Sequence, residues 1–404
     1  MNPSMIRRHD YPDVGCTSSD EVDVEIRWYD QLNRHEIVWQ DTEYGQYARS
    51  YLLPLLEHGT ASLFANVQTQ LRILTVDGIP LPITVNDAQY DNSYVCSPYT
   101  HYVSYAQQEL SMLKMPWLEK GLSLLLRGIG AGMRAAHVNR VVQINNWLLS
   151  TNLYPTLTEA QIEKVQAEVN AQYPRHVIIW RSLNEVTTPT LWHTLRTRGN
   201  RFIPSRQIYL LDHTHIPSKA RWIIKRDRKL MDTFQYTVVR PHEWIEDDIP
   251  RMLELYNMLY IKKYSIHNPQ FTAAFLRLAL EQGTLQLYGL RTEAEGRLDA
   301  ILGFFARDGV MTTPLFGYDT SLPAETGLYR MLSVLLIELA TERGDLLHES
   351  SGVGQFKRNR GAYGALEVSA VYTAGRGLSV RCYWWLLEQL LYRIGVPIIH
   401  KMKF

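Results

Sequence analysis

Apolar and polar positions run through this chain in two successive rounds of similar order. In the first round, QLRILTV and IPLPITV flank Asp77-Gly78, a pair that signals a two-residue hairpin between strands. SLFANVQ just before them predicts another strand, and Tyr47 to Glu57 predicts a helix ending before Gly59. Trp117 to Val138 has helical spacing and is followed by the strand-like VVQINNWLL at 141–149. Thr158 and Gln161 form a capping box, and Ile162, Val165 and Val169 share a face, so 158–173 predicts a helix. HVIIWRSL, a short helix near Thr190 to Arg198 and RQIYLLD at 206–212 complete the round.

The second round starts with a strand at Tyr236 to Arg240 and a helix at Asp247 to Tyr264. A further helix begins at Pro269, with Asn268 as N-cap and Gly283 as its C-terminal stop. LQLYGLR and LDAILGFFARDGVMTTPLFGYD predict three strands, with Asp308-Gly309 as a second hairpin turn. Thr326 to Arg343 is apolar on nearly every face and is therefore a buried helix. LLHESSGVGQFKRNRGAYGALEVSAVY then reads as strand, glycine-containing elbow, basic helical turn and strand, and Cys382 to Ile394 as a closing helix. Both rounds end in hairpin, helix, strand, helix, strand, which points to an internal structural duplication.

A length of 404 residues exceeds one ordinary core and suits two domains. The boundaries expected are a mobile polar segment at 1–20, a first domain at 21–215, a basic helical connector at 216–232 and a second domain at 233–404. The connector holds Lys219, Arg221, Lys225, Arg226, Arg228 and Lys229, the densest charge run of the chain. Over the whole chain charges cancel, with Lys+Arg 42 against Asp+Glu 41, so no overall field draws DNA or a membrane and any electrostatic binding belongs to local patches. The N-terminus lacks the apolar core of a signal peptide, and the longest apolar helix pattern is interrupted by Lys120, Arg127 and Arg134, so no membrane span is expected. Cys16, Cys96 and Cys382 have neither metal-ligand nor disulfide-framework spacing; a cytoplasmic protein without a metal is expected.

The element order resembles the GNAT acyl-CoA N-acyltransferase fold, and its doubling around a basic connector is similar to the Fem-type aminoacyltransferases. Lys219-Ala220-Arg221 through IIKRDRKLMDTFQYTVV resembles the Fem-type stretch before the second unit, Phe356 to Gly361 resembles the FK…G motif, and Glu367 to Tyr372 the strand after it. The resemblance covers roughly residues 60–395. It implies an α/β fold of two tandem GNAT-like domains, each a twisted, mostly antiparallel sheet flanked by helices. It also implies N-acyl transfer, by direct attack in a ternary complex, from a thioester to an amine of an amino acid, peptide or natural product. The co-substrate implied is acyl-CoA or an acyl-phosphopantetheine carrier protein.

Two positions depart from the family pattern. Glu325 to Arg330 has one glycine where CoA-dependent members have a Gly-x-Gly/Ala loop, and Lys357 stands where such members place an acidic tyrosine, with Tyr363 nearby. On this reading Glu349 is the general base, His348 the alternative base, and Lys357 or Tyr363 the acid. Gly317, Thr326, Gly327, Tyr329, Lys357, Arg358 and Arg360 face the donor, while Tyr318, Asp319, Tyr99 and His101 face the acceptor. The plainer structural readings are that Glu349 pairs with Lys357, that His348 sits in a core, that the 357–360 cations are a solvated face, and that the tyrosines at 90–105 pack aromatic strands. Two other functions share the fold: an aminoacyl-tRNA-dependent transferase, and a binding module without catalysis.

Overall fold

The computed structural model describes residues 24–110 and 116–397. The segment expected to be mobile, 1–20, lies outside the described residues.

Twelve strands form one continuous sheet. They are β1 (Ile26–Tyr29), β2 (Gln70–Val76), β3 (Ile79–Asn86), β4 (Val141–Ile144), β5 (Val177–Leu183), β6 (Arg201–Leu211), β7 (Tyr236–Val239), β8 (Gln286–Thr292), β9 (Leu298–Arg307), β10 (Val310–Tyr318), β11 (Leu346–His348) and β12 (Tyr363–Tyr372). Across the sheet the order is β1-β2-β3-β4-β5-β12-β6-β11-β10-β9-β8-β7. Read inwards from either edge, five strands of one unit are followed by the last strand of the other. The duplication is therefore closed by exchange: β6 leaves the first unit to pair with β11, and β12 leaves the second to pair with β5. Each unit has one parallel pair, β4 with β5 and β10 with β11, bridged by a helix at Glu159–Gln172 or Leu328–Arg343. The fold is an α/β arrangement of two tandem GNAT-like units.

Local chemistry explains the elements. Asp77 (φ 48) with Gly78 (φ 77), and Asp308 (φ 48) with Gly309 (φ 74), adopt the left-handed pairs that a two-residue hairpin demands. Thr158 and Gln161 cap the helix reciprocally as their spacing predicts. The connector is a helix, Ser218–Thr233, packed on helix 328–343.

Several expectations are corrected. SLFANVQ is no strand; a 3₁₀ turn at Thr60–Ser62 precedes a lone bridge from Phe64 to Phe271. β4 stops at Ile144 because Asn145 (φ 54) and Leu148 (φ 61) turn left-handed. The tyrosine-rich segment is turns and helix rather than extended, with Thr100–Ser104 in a π-helix running into Tyr105–Glu109. The helix expected from Pro269 starts at Ala273, and Thr272, whose side chain accepts from Phe275 N, caps it in place of Asn268. Asn268 instead spends its amide on the Tyr260 and Ser265 carbonyls.

The units share a core. Tyr51, Leu52 and Trp147 of the first unit belong to one buried cluster with Phe275, Phe305 and Leu315 of the second. A continuous sheet and a common core make the pair one cooperative body, not two beads on a linker.

Candidate active site

β10 and β11 run parallel for only three residue pairs, Val310 with Leu346 to Thr312 with His348. β10 then bulges between Thr312 and Leu315, and the chain after β11 turns into the elbow 350–353, so the sheet opens. A cavity of about 170 Å³ fills the opening. Its walls include Tyr260, Tyr264, Thr313, Phe316, Tyr329 and Glu349 from the second unit, and Tyr94, Tyr105 and Arg206 from the first. Strand exchange thus builds one cavity from both halves.

Successive strand residues point to opposite faces, and here this separates the two expected bases. Glu349 lines the cavity, and its Oε2 is buried without a hydrogen-bond partner. Burial raises the affinity of this carboxyl for its proton, opposed by the charges of Lys357 and Arg360. His348 is fully enclosed on the other side, 3.8 Å from Glu367, with Nδ1 accepting from Ser350 N. Burial first, and then Arg206 and Lys357, depress its imidazole to about 4, against the opposing pull of Glu367.

The elbow is strained and braced. Ser350 (φ 56), Gly352 (φ 81) and Val353 (φ 45) are left-handed, a conformation costly for β-branched valine. Lys357 Nζ donates to the carbonyl oxygens of Glu349 at 2.5 Å and Ser351 at 2.9 Å. Lys357 therefore ties down the turn that presents Glu349, while burial lowers its own pKa. Replacing it with methionine is expected to cost about 2 kcal/mol, the worth of hydrogen bonds from a charged group. Urea denaturation would register the loss, and an unchanged midpoint would refute the brace.

The remaining candidates disperse. Tyr329 lines the cavity, with its phenol pushed to stay protonated by burial and then by Glu349. Thr326 and Gly327 stand outside the cavity wall at the start of helix 328–343, where Gly327 (φ 76) is the N-cap. Gly317 is not at the cleft: a Cβ there would lie 2.6 Å from Leu255 C and Tyr256 N, so its role is to let helix 249–256 touch β10. Arg360 is neither free nor solvated; it is buried, stacked on Phe356 and ion-paired with Asp227 of the connector. Arg358 donates to Tyr209 Oη at 2.9 Å. Asp319 is bound to Arg251 at 2.6 Å and holds the turn at Ser321, a structural assignment for a residue expected at the acceptor. Tyr318 Oη receives Lys263 Nζ at 3.4 Å. Tyr363 lines a different cleft with Trp192, Phe202 and Glu388. Tyr99 packs against Tyr90 under Arg134.

His101 marks the counterpart of the cavity in the first unit. Between β4 and β5 only about 20 Å³ is left, because His101, Tyr102, Tyr94 and Trp384 occupy the opening. Burial, then Arg181 and Arg206, depress the His101 imidazole to about 3. Both buried histidines are neutral in the fold and protonate near the ordinary value of 6.5 when unfolded, so the unfolded chain takes up protons first on acidification. Stability is expected to fall as pH drops below 6.5, by up to about 1.4 kcal/mol per pH unit for each histidine. Denaturant midpoints at neutral and mildly acidic pH test this, and equal midpoints would contradict it.

The residues that no sequence motif flagged are Arg206, Tyr260, Tyr264 and Thr313. Thr313 Oγ1 has no hydrogen-bond partner, and its position in a bulge is the one local signal.

No protein-family model matches the chain, and no curated protein is similar to it by sequence. Among solved structures, the tandem GNAT protein from the clavulanic acid biosynthesis pathway is similar at 10% identity over 86% of this chain and 98% of that one, with TM-score 0.38. FemX is similar at 8% identity over 56% and 78%, with TM-score 0.42. L-PGS from Bacillus licheniformis is similar at 15% identity over 57% and 78%, with TM-score 0.43. Likenesses this distant carry no weight for activity. The tandem GNAT-like architecture is read from the chain's own strand order: two units with one parallel pair each, joined by exchanged last strands.

Proposed function

We propose that the protein is an acyltransferase that moves an acyl group from a thioester to an amine in the β10–β11 cavity. The observation that carries this reading is Glu349, whose buried, unpartnered Oε2 belongs to a residue lining a cavity of mixed aromatic and polar walls. An alkylammonium group with pKa near ~10.4 must lose a proton before it can attack. A carboxylate whose proton affinity burial has raised is the better base for that step.

In the proposed reaction the amine nitrogen attacks the thioester carbonyl carbon and a C–N bond forms. The carbonyl electron pair moves onto oxygen, where Thr313 Oγ1 is an available donor. Glu349 has by then taken one proton from the ammonium; collapse of this intermediate breaks the C–S bond and expels the thiolate, and the second nitrogen proton is released to restore the one that the thiolate takes. Tyr329, kept protonated beside Glu349, is the proton source for the thiolate. The cavity volume of about 170 Å³ suits a short acyl group rather than a long fatty chain. The donor's phosphates would meet Gly327 and Arg330 at the start of helix 328–343.

The test is intact-mass analysis of thioesters that co-purify, paired with thermal shifts against a panel of acyl-CoAs and acyl-carrier proteins. A ligand at 100 times its Kd should add about 2.7 kcal/mol of stability. No stabilisation by any of them would favour a binding module without catalysis. An aminoacyl-tRNA donor is the second reading, favoured by the exposed cations Lys219, Arg221, Lys225, Arg226, Arg228 and Lys229 on the connector beside helix 328–343. Activity in extract that survives ribonuclease would reject it.

A further inference from the structure

The helix Pro116–Ala135 and the closing helix Leu378–Leu390 touch each other outside the candidate active site. Their inner faces share a core of Met133, Ala136, Trp384 and Leu387, and Tyr383 Oη donates to Ile129 O across the contact. Their outer faces are apolar where a soluble surface would be polar. Trp117 is 72% exposed, Leu124 72%, Leu125 43%, Leu378 74%, Trp385 48% and Leu386 43%. Isolated exposed leucines are ordinary, but six large exposed apolar side chains concentrated on two touching helices are not.

The charges among them are mostly of one sign. Lys120, Arg127, Arg381 and Arg393 are exposed around the apolar residues, and Glu119 is the half-buried carboxylate of the first helix. From Lys120 to Thr158 the sequence contains no Asp or Glu, in a chain whose net charge is only +1. Glu388, the carboxylate of the closing helix, is drawn inward onto Arg201 at 2.8 Å. A polar helix face of this kind would merely be solvated, and a purely apolar one would suit another protein. Exposed tryptophan and leucine ringed by lysine and arginine are what an anionic lipid surface takes up: rings and aliphatic chains enter the acyl boundary while the cations meet the headgroups. Among the described residues no helix is long and apolar enough to span a bilayer, so the attachment is in the interface plane.

We propose that this two-helix face docks the protein on anionic membrane surfaces. The inference is independent of the transferase reading, because neither helix lines the Glu349 cavity. The full-length protein is sedimented with vesicles of phosphatidylcholine alone and of phosphatidylcholine with an equal part of phosphatidylglycerol. Binding to the anionic vesicles only, weakened by salt, is expected. Lys120→Glu with Arg127→Glu should reduce partitioning by about tenfold or more, since each cation near an anionic surface contributes several-fold. Leu124→Ser with Trp385→Ser should abolish the binding that remains at high salt. All four sites are exposed, so unchanged thermal unfolding is the control for folding.

Failure to sediment with anionic vesicles at low salt would overturn the proposal, as would equal partitioning of every variant. A salt-resistant dimer in sedimentation velocity that Leu124→Ser with Trp385→Ser dissociates would assign the face to a second copy and also overturn it.

Discussion

Glu349→Gln is expected to lower turnover by about 100-fold or more, the usual worth of a positioned general base, with acceptor binding little changed. The amide keeps the side chain's shape and hydrogen-bonding capacity but cannot take a proton. Because burial raises the proton affinity of Glu349, the sign of the pH dependence follows. The carboxylate is active only when ionised, so turnover falls as pH drops through its raised value and levels off above it. In Glu349→Gln that acidic limb should vanish from the residual rate. Glu349→Asp should keep the limb while losing rate, because the carboxylate is retracted by one methylene. Full turnover in Glu349→Gln at neutral pH would remove Glu349 from the mechanism. A rate loss with an unaltered pH profile would point to a positioning role instead.

Glu367→Ala should be the most destabilising single change at the seam, by about 3–5 kcal/mol. Arg206 and Glu367 are register partners on the exchanged strands β6 and β12, at the centre of the sheet. Arg206 reaches Glu367 with two bonds, at 2.8 and 3.1 Å, and also donates to Ser150 O and Thr151 Oγ1. Burial opposes the guanidinium charge, but Glu367 more than restores it, so Arg206 stays firmly protonated. Truncating Glu367 leaves that cation enclosed and unpaired, with the neutral His348 as its neighbour. Arg206→Met combined with Glu367→Leu should recover much of the loss, since apolar residues of similar volume carry no desolvation penalty. A double-mutant cycle from denaturant curves measures the coupling. Independent, additive losses would show that the pair does not hold the seam.

Much of the candidate site was legible because it is local. The elbow of LLHESSGVGQFKR sits where its glycine and polar residues indicated, and the alternation of β11 sends Glu349 to the cavity and His348 away from it. Other assignments needed burial, which a side chain's identity does not carry. Arg360 is as compatible with a solvated turn as with an enclosed ion pair, and Asp227, in the middle of a basic run, decides between them. Gly317 was compatible with a close approach, but the approaching partner is a helix backbone. Asp319 differs from a ligand-facing aspartate only through Arg251, which comes from 68 residues away.

The sequence by itself determined most of the elements and the similar order of its two rounds. Capping boxes, Asp-Gly turns and apolar periodicity act over a few residues, so their free energies are set before any tertiary contact forms. The connector helix and the strand-elbow-helix that carries Glu349 belong to that local category. Only the tertiary structure decided that β6 and β12 change places, and from this follow the Arg206–Glu367 seam and the entry of Arg206 into the second unit's cavity. Pairing partners in a sheet are chosen by long-range burial, and either unit could close on its own last strand with the same local pattern. The same burial leaves one cavity open between β10 and β11 and fills its counterpart with His101, Tyr102 and Trp384.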